Sequence, residues 1–307
     1  MTMDHTIPKI SIIIPNLNSP IIDRTLESVL HQDSKHDFEV IVVGMDQYNL
    51  VEQFEQVTFL QTPSPIGAAE ARNIGIRHAQ GEWLLFIDSD CIAEADWINT
   101  FAREFEAGRK VIGGGVITPK EPFWLLVYNL SMFYGELASQ KEKFRKFMPT
   151  LNLAVHRKVI EDVGMMNEEL PRGQDIEWTS RMSLAGYKLF FNPTAMVKHV
   201  PERKDFKTLR AFVRKSGYYM IRVRLKYPGV FNTPDILQNP LLWRLGAPIV
   251  AGYITLKIFF QTKEVRQHWQ ILPFIYLQKF SWCLGAAESL TDLKKENKGL
   301  NNMAAQS

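Results

Sequence analysis

The sequence predicts an α/β protein, a mainly parallel sheet covered by helices and followed by a helical extension. Three observations carry that expectation. Through the first 120 residues, β-branched apolar runs alternate with segments of helical period, the pattern of βαβ units. The runs are apolar throughout, as strands buried on both faces are. The charge changes sign at Arg203: the first 202 residues carry 19 Lys+Arg against 27 Asp+Glu, the remainder 17 against 6. This asymmetry divides the chain into residues 1–202 and a basic, aromatic-rich extension, 203–307, that faces something anionic.

The elements follow in order. Lys9 to Ile14 is β-branched, stops at Pro15, and reads as a buried strand. Ser19-Pro20 opens a helix through Leu30, with Ile22, Leu26, Val29 and Leu30 on one face. Phe38 to Val43 and Val57 to Leu60 are strands, Pro65 to Ala79 is a helix ended near Gly81, and Trp83 to Ile87 is a strand stopped by Asp88-Ser89-Asp90. Ligands of such sheets bind beyond the carboxyl ends of the strands, which puts residues 15–18, 44–46 and 88–90 on one rim. Val111 to Ile117 contains Gly113-Gly114-Gly115, a strand or bulge where backbones approach closely. Phe123 to Leu137 is an aromatic helix or lid. Thr150 to Val155 is a strand, Lys158 to Val163 a helix, Asp175 to Ala185 a helix closed by Gly186, and Lys188 to Phe191 a strand. Beyond Arg203, Phe206, Leu209, Val213, Met220 and Val223 keep helical spacing among Lys and Arg side chains.

At 307 residues, with 46% hydrophobic and 22% charged side chains, the chain is neither disordered nor collagenous. Two cysteines, Cys91 and Cys283, exclude a disulfide scaffold and fit a reducing compartment. The polar start, residues 1–5, lacks a signal-peptide pattern. No run reaches the length of uncharged apolar residues that a spanning helix needs; Leu245 to Leu256, cut by Arg244 and Lys257, comes nearest. The extension is therefore expected to lie on a membrane surface, its cations on anionic lipid and its Trp, Tyr and Phe side chains at the interface, or else to pack as a helical subdomain. No nucleic-acid motif accompanies Tyr218, Tyr219 and Tyr227, and neither a phosphate loop nor zinc spacing is present.

Asp88 and Asp90, at i and i+2 past a buried strand, project to one side of an extended chain and suit a hard divalent cation, Mg2+ or Mn2+. Asp-Ser-Asp is also a turn and N-cap sequence. The context adds weight to the cation. Gly67, Ala71-Arg72-Asn73-Ile74-Gly75, Gly81-Glu82, the apolar strand and Asp88-Ser89-Asp90 follow in that order. With Arg172-Gly173-Gln174-Asp175, Arg181, Ala185-Gly186-Tyr187 and Val197-Lys198-His199, the sequence resembles the inverting family 2 glycosyltransferases of the GT-A fold over about residues 8 to 202.

The resemblance implies a nucleotide-diphosphate sugar donor, UDP by default, and a glycan or lipid-linked acceptor, as in cell-surface polysaccharide synthesis. It also implies a cytoplasmic enzyme, peripheral at the inner face of the membrane. Asp88, Asp90 and His199 would hold Mn2+ or Mg2+, which neutralises charge on the leaving diphosphate. Asp175 would deprotonate the acceptor hydroxyl, and its position at a helix start also suits the helix dipole. Pro15, Asn18, Asp46, Arg72 and Asp88 would contact the donor; Arg72 reaches either the diphosphate or the Asp88 loop. Asn152 and Trp178 fall where acceptor contacts are found, and Phe123, Trp124, Tyr128, Phe133 and Tyr134 are either sugar-stacking rings or core. Two departures stand out. Only Asp46 is acidic after the second strand, and Gln174 replaces the usual Glu, which lowers the pKa of Asp175 relative to the usual pair. A sugar-phosphate nucleotidyltransferase and a catalytically silent GT-A module are the alternative readings.

Overall fold

The computed structural model describes residues 9–202, 205–233 and 238–304. The N-terminal residues 1–5 considered above, together with Arg203 and Lys204 of the basic series, lie outside the described residues. Two compact units result, one from residues up to 119 with 135–201, the other from 120–134 with residues from 202 on.

The first unit contains strands β1 (Ile10–Leu17), β2 (Phe38–Met45), β3 (Val57–Gln61), β4 (Trp83–Ile87), β5 (Cys91–Ala93), β6 (Val111–Ile117), β7 (Lys143–Arg145), β8 (Asn152–His156) and β9 (Leu189–His199). Its helices are α1 (Ile22–Leu30), α2 (Ala68–His78), α3 (Trp97–Glu106), α5 (Arg157–Val163) and α6 (Gln174–Leu184), and α4 (Phe123–Met132) belongs to the second unit. The strand order is β3-β2-β1-β4-β8-β6-β9-β5, with β7 beside β9. The expected parallel pairing holds for β3-β2-β1-β4 and for β6 with β9, whereas β8, β5 and β7 run antiparallel to their neighbours. The sheet is therefore mixed. Apolar runs report burial on both faces and carry no sign of strand direction, so the antiparallel strands within the expected mainly parallel sheet were not distinguishable.

Because β1, β2 and β4 are parallel, their carboxyl ends share one edge. Gly44, at φ +132°, brings that edge together: a Cβ there would stand 1.9 Å from the Asn16 carbonyl oxygen. Gly44→Ala is expected to destabilise the protein by on the order of 3 kcal/mol in urea unfolding, through both strain and overlap. Gly114 and Gly115 flank a register shift between β6 and β9, and a Cβ on Gly114 would stand 2.2 Å from Asn152 Nδ2. The close approach expected of the three glycines is present. The core on one side of the sheet is built from Ile13, Ile41, Leu84, Phe86, Val155, Phe191 and Trp178.

The second unit adds α7 (Phe206–Lys226), α8 (Pro228–Phe231), α9 (Pro240–Gln261), α10 (Lys263–Gln267), a 3₁₀ turn (Trp269–Ile271) and α11 (Leu272–Ala304). Helix α11 packs along α7 and α9. Two glycines let α7 and α11 approach: a Cβ on Gly217 would meet the Trp282 carbonyl at 2.1 Å, and one on Gly285 would meet the Arg214 carbonyl at 1.9 Å. The α4 rings turn inward in this unit, Trp124 against Phe206 (5.6 Å), Phe123 against Phe274 (5.5 Å) and Tyr128 against Phe212 (5.6 Å). Tyr128 is buried, whereas Phe123, Trp124, Phe133 and Tyr134 are half-buried, so the core alternative holds for Tyr128.

Helix α9 contains the longest apolar run expected in the extension. Its 22 residues have a mean hydropathy of 1.3 over the best window and are long and apolar enough, by length and composition, to cross a membrane. Arg244 and Lys257 limit the uncharged run without ending the helix.

Candidate functional site

The rim is organised by asparagines. Asn16 Nδ2 donates to the Met45 carbonyl (2.9 Å) and its Oδ1 accepts from the Ser19 N–H (3.1 Å). Asn18, left-handed at φ 55°, donates its own N–H to Met45 O (2.9 Å) and accepts from the Gln47 N–H (2.8 Å). Asp46 is buried, takes the Val51 N–H on Oδ2 (2.7 Å), and keeps Oδ1 without a hydrogen-bond partner. Pro15, half-buried, pairs with Val43 in the sheet just before this turn. The edges that hold residues 15–18 and 44–46 are thus stitched together. Hydroxyls of Ser19 and Thr25 both donate to the Ser89 carbonyl, at 2.8 and 3.1 Å, and tie in the acidic turn.

That turn separates its two carboxylates. The Cys91 N–H donates to Asp88 O (3.0 Å), so residues 88–91 form a turn and not an extended strand. Asp88 accepts from Arg72 Nη2, the buried guanidinium on α2. Asp90 lies instead by His199, with Nε2 3.5 Å from Oδ1. His199 arrives at the end of β9 opposite Cys91 of β5, and the Asp90, Cys91 and His199 donor atoms lie within 4.8 Å of one another. The expected cluster of Asp88, Asp90 and His199 is therefore corrected: Asp88 is held by Arg72 and does not join the other two. An alternation argument assumes extended backbone, and this backbone turns.

The donor set fits a hard divalent ion in part. One carboxylate and one imidazole 3.5 Å apart would supply two ligands to a Mn2+ or Mg2+ ion. Cys91 adds a buried thiol, which burial, reinforced by the charges of Asp90 and Asp88, pushes well above its ordinary pKa.

Asp175 sits in the first turn of α6, after Gly173 in left-handed conformation, and its Oδ1 accepts the Ile176 N–H at 2.8 Å. Burial pushes its carboxyl above the usual range; the Ile176 N–H and the Arg72 charge oppose this, and Asp88 adds to it. The Arg72–Asp88 pair and Asp175 thus feel one another's charge.

The two acceptor candidates are corrected. Trp178 is fully buried, its ring edge-on to Phe86 (5.5 Å) and its Nε1–H donated to Gly164 O (2.9 Å). Asn152 spends its amide on the β6 bulge: Nδ2 donates to Gly115 O (3.1 Å) and Ala195 O (2.8 Å), while Oδ1 accepts the Trp97 indole N–H (2.9 Å). Asn73 similarly clasps the Met166 backbone, accepting its N–H (3.0 Å) and donating to its carbonyl (2.9 Å). Glu177, buried in the same helix as Asp175, pairs with Arg181 at 3.1 Å.

Sequence reasoning missed two groups. Cys91 was legible only as the neighbour of Asp90. Glu136 carries no motif; burial raises its carboxyl pKa against the pull of Arg145 and Lys143, and Asp175 adds to the rise.

Residues 11–164 match the family model described as Glycosyl transferase family 2. Glycosyltransferase AglE of Haloferax volcanii is 26% identical over 301 residues, 94% of this chain and 96% of that protein. Poly(ribitol-phosphate) beta-N-acetylglucosaminyltransferase TarS of Staphylococcus aureus is 38% identical over 102 residues, 30% of this chain and 17% of that protein. Among solved structures, mannosyltransferase PcManGT from Pyrobaculum calidifontis, in complex with GDP-Man and Mn2+, is similar with a TM-score of 0.56 at 16% identity over 98% of this chain and 81% of that one. S. aureus TarS 1-349 with UDP-GlcNAc gives a TM-score of 0.55 at 14% identity, over 94% of this chain and 92% of that one. At such identities the structural likeness is one of fold.

Proposed function

This chain belongs to glycosyl transferase family 2, a glycosyltransferase of GT-A fold, and we propose that it transfers a sugar from a nucleotide-diphosphate donor, UDP-linked, to a hydroxyl of a glycan or lipid-linked acceptor with inversion. Asp175 takes the proton of the acceptor hydroxyl as that oxygen attacks the anomeric carbon opposite the leaving group. One displacement then inverts the configuration. Asp90 and His199 would hold Mn2+ or Mg2+, which when bound would neutralise charge that develops on the departing diphosphate. Arg72, fixed by Asp88, presents a buried positive charge to the same side of the site, while Pro15, Asn18 and Asp46 line the rim for the nucleoside. The acceptor is met at an anionic membrane surface on the cytoplasmic side.

The observation that carries this reading is the placement of Asp175. It is a half-buried carboxyl with a raised pKa that feels the charges of Arg72 and Asp88, the pair that begins the turn leading to Asp90. Calorimetric titration with UDP, GDP, UDP-GlcNAc and GDP-mannose, with and without Mn2+, tests the donor. Proton NMR of the product tests the stereochemistry. The expected results are Mn2+-dependent binding of a uridine donor, release of a nucleoside diphosphate, and an inverted anomer. Pyrophosphate released from a nucleoside triphosphate and a sugar phosphate would instead make it a nucleotidyltransferase, and a retained anomer would remove Asp175 as the base.

A further inference from the structure

The extension was expected to meet lipid through its basic helix, yet α7 has spent much of its charge internally. Arg210 donates to Ser281 (2.9 Å), Arg214 pairs with Glu288 through Nε (3.0 Å), and Arg222 reaches Ser289 (2.9 Å) and Glu296 (3.2 Å), all on α11. Helix α9 has the opposite character. On one side Trp243, Ala247, Ala251, Thr255 and Ile258 recur every three or four residues and are buried in the bundle. On the other, Leu241, Leu245, Ile249, Tyr253, Leu256 and Phe260 recur at the same spacing and are exposed, from 57% at Leu241 to 77% at Ile249. Single exposed apolar side chains are ordinary on a soluble surface, but a continuous stripe of six over most of a 22-residue helix marks a face with a partner.

The geometry points to α9 lying in the plane of an anionic lipid surface, its Leu245–Ile249–Leu256 stripe among the acyl chains; this deepens the membrane part of the function proposed above and rests on it. Charge selects lipid as the occupant. Helix α9 contains no Asp or Glu, and between residues 238 and 283 five cations stand against Glu264 alone; Arg244, Arg266 and Lys279 donate to Thr291 and to the Phe260 and Ser131 carbonyls, while Lys257 and Lys263 are exposed. Exposed Tyr253 and Trp269 supply aromatic bodies with polar tips, the side chains that settle at a bilayer interface. The in-plane orientation follows from packing: spanning would strip Ala247, Ala251 and Ile258 from the bundle, whereas lying flat leaves them in place.

The test is co-flotation of the full chain with phosphatidylcholine vesicles and with mixed phosphatidylcholine–phosphatidylglycerol vesicles. Wild type is expected to float with the anionic vesicles. Leu245→Glu with Ile249→Glu should cut the bound fraction by about tenfold or more, and Lys207→Gln with Lys215→Gln on α7 by less than about threefold. Circular dichroism and melting curves check that the variants, changed only at exposed positions, remain folded. A polarity-sensitive label on Ile249→Cys, beside the buried native Cys91 and Cys283, should be quenched more by shallow than by deep lipid quenchers. Wild type that floats with neither vesicle would remove the membrane reading altogether. Undiminished flotation of the double-Glu variant would leave that reading and overturn the role of α9. Stronger deep quenching would replace the in-plane arrangement by a spanning one. A dimer that the double-Glu variant dissolves, with no flotation, would give the stripe to a second copy of the chain.

Discussion

Asp175→Asn is expected to lose between about 10²- and 10⁴-fold in kcat, the usual contribution of a general base, while nucleotide binding is retained and the protein becomes harder to melt at neutral pH. The two effects share one cause. Burial disfavours the charged carboxylate and raises its folded-state pKa above that of the unfolded chain. Above that raised value the folded protein carries a charge it solvates poorly, and the unfolded chain does not. The amide removes this cost and keeps an oxygen for the Ile176 N–H. Below the ordinary carboxylate range Asp175 is neutral in both states, so the gain in melting temperature should shrink to nothing as the pH falls. Differential scanning calorimetry across pH reads this directly, and the acidic limb of kcat should lie above the ordinary aspartate value. An Asn variant with full transfer activity would show that another group takes the proton.

Asp88→Asn and Asp90→Asn should fail differently. Asp90 and His199 are the pair spaced for an ion, so Asp90→Asn or His199→Ala is expected to weaken Mn2+-stimulated nucleotide binding by about tenfold to a hundredfold. Raising Mn2+ should recover part of that loss. Asp88 anchors Arg72, a guanidinium whose buried Nε has no hydrogen-bond partner, so Asp88→Asn frees a buried cation from its main restraint. Excess Mn2+ should not rescue this variant, and its melting temperature should drop. Mn2+ titrations of nucleotide affinity, run in parallel on the three variants, separate the two carboxylates. Equal rescue of both would return Asp88 to the ion.

Much of the first unit was legible because buried strands announce themselves. Trp83 to Ile87 is a pure apolar run with an abrupt acidic stop, and the strand ends there. Helix α3 went unread although Trp97, Phe101 and Phe105 keep helical spacing, because Asp96, Arg103, Glu104 and Glu106 dilute the stripe. Strand β5 is three residues long, too short to display any period, yet it sets Cys91 against His199. Trp178 and Asn152 mislead for a related reason: an indole and an amide suit a sugar as well as a core or a bulge, and only packing tells which. The partition of the acidic pair, Asp88 to Arg72 and Asp90 to His199, depends on a single turn hydrogen bond that residue types do not reveal. Helix α9 was read by its charged ends, and the unbroken outward stripe emerged once its inner face was seen to be filled.

One carbonyl oxygen has a larger consequence than its size suggests. Ser89 O receives hydroxyls from Ser19 and Thr25, so the turn that carries Asp90 hangs from the start of α1, the segment that follows the rim proposed for the nucleoside. Whatever steadies that segment steadies the acidic turn, and the reverse must hold by the same amount. Nucleotide and divalent ion should therefore each sharpen affinity for the other, a reciprocity carried through a fork of two hydrogen bonds even before phosphate touches the ion.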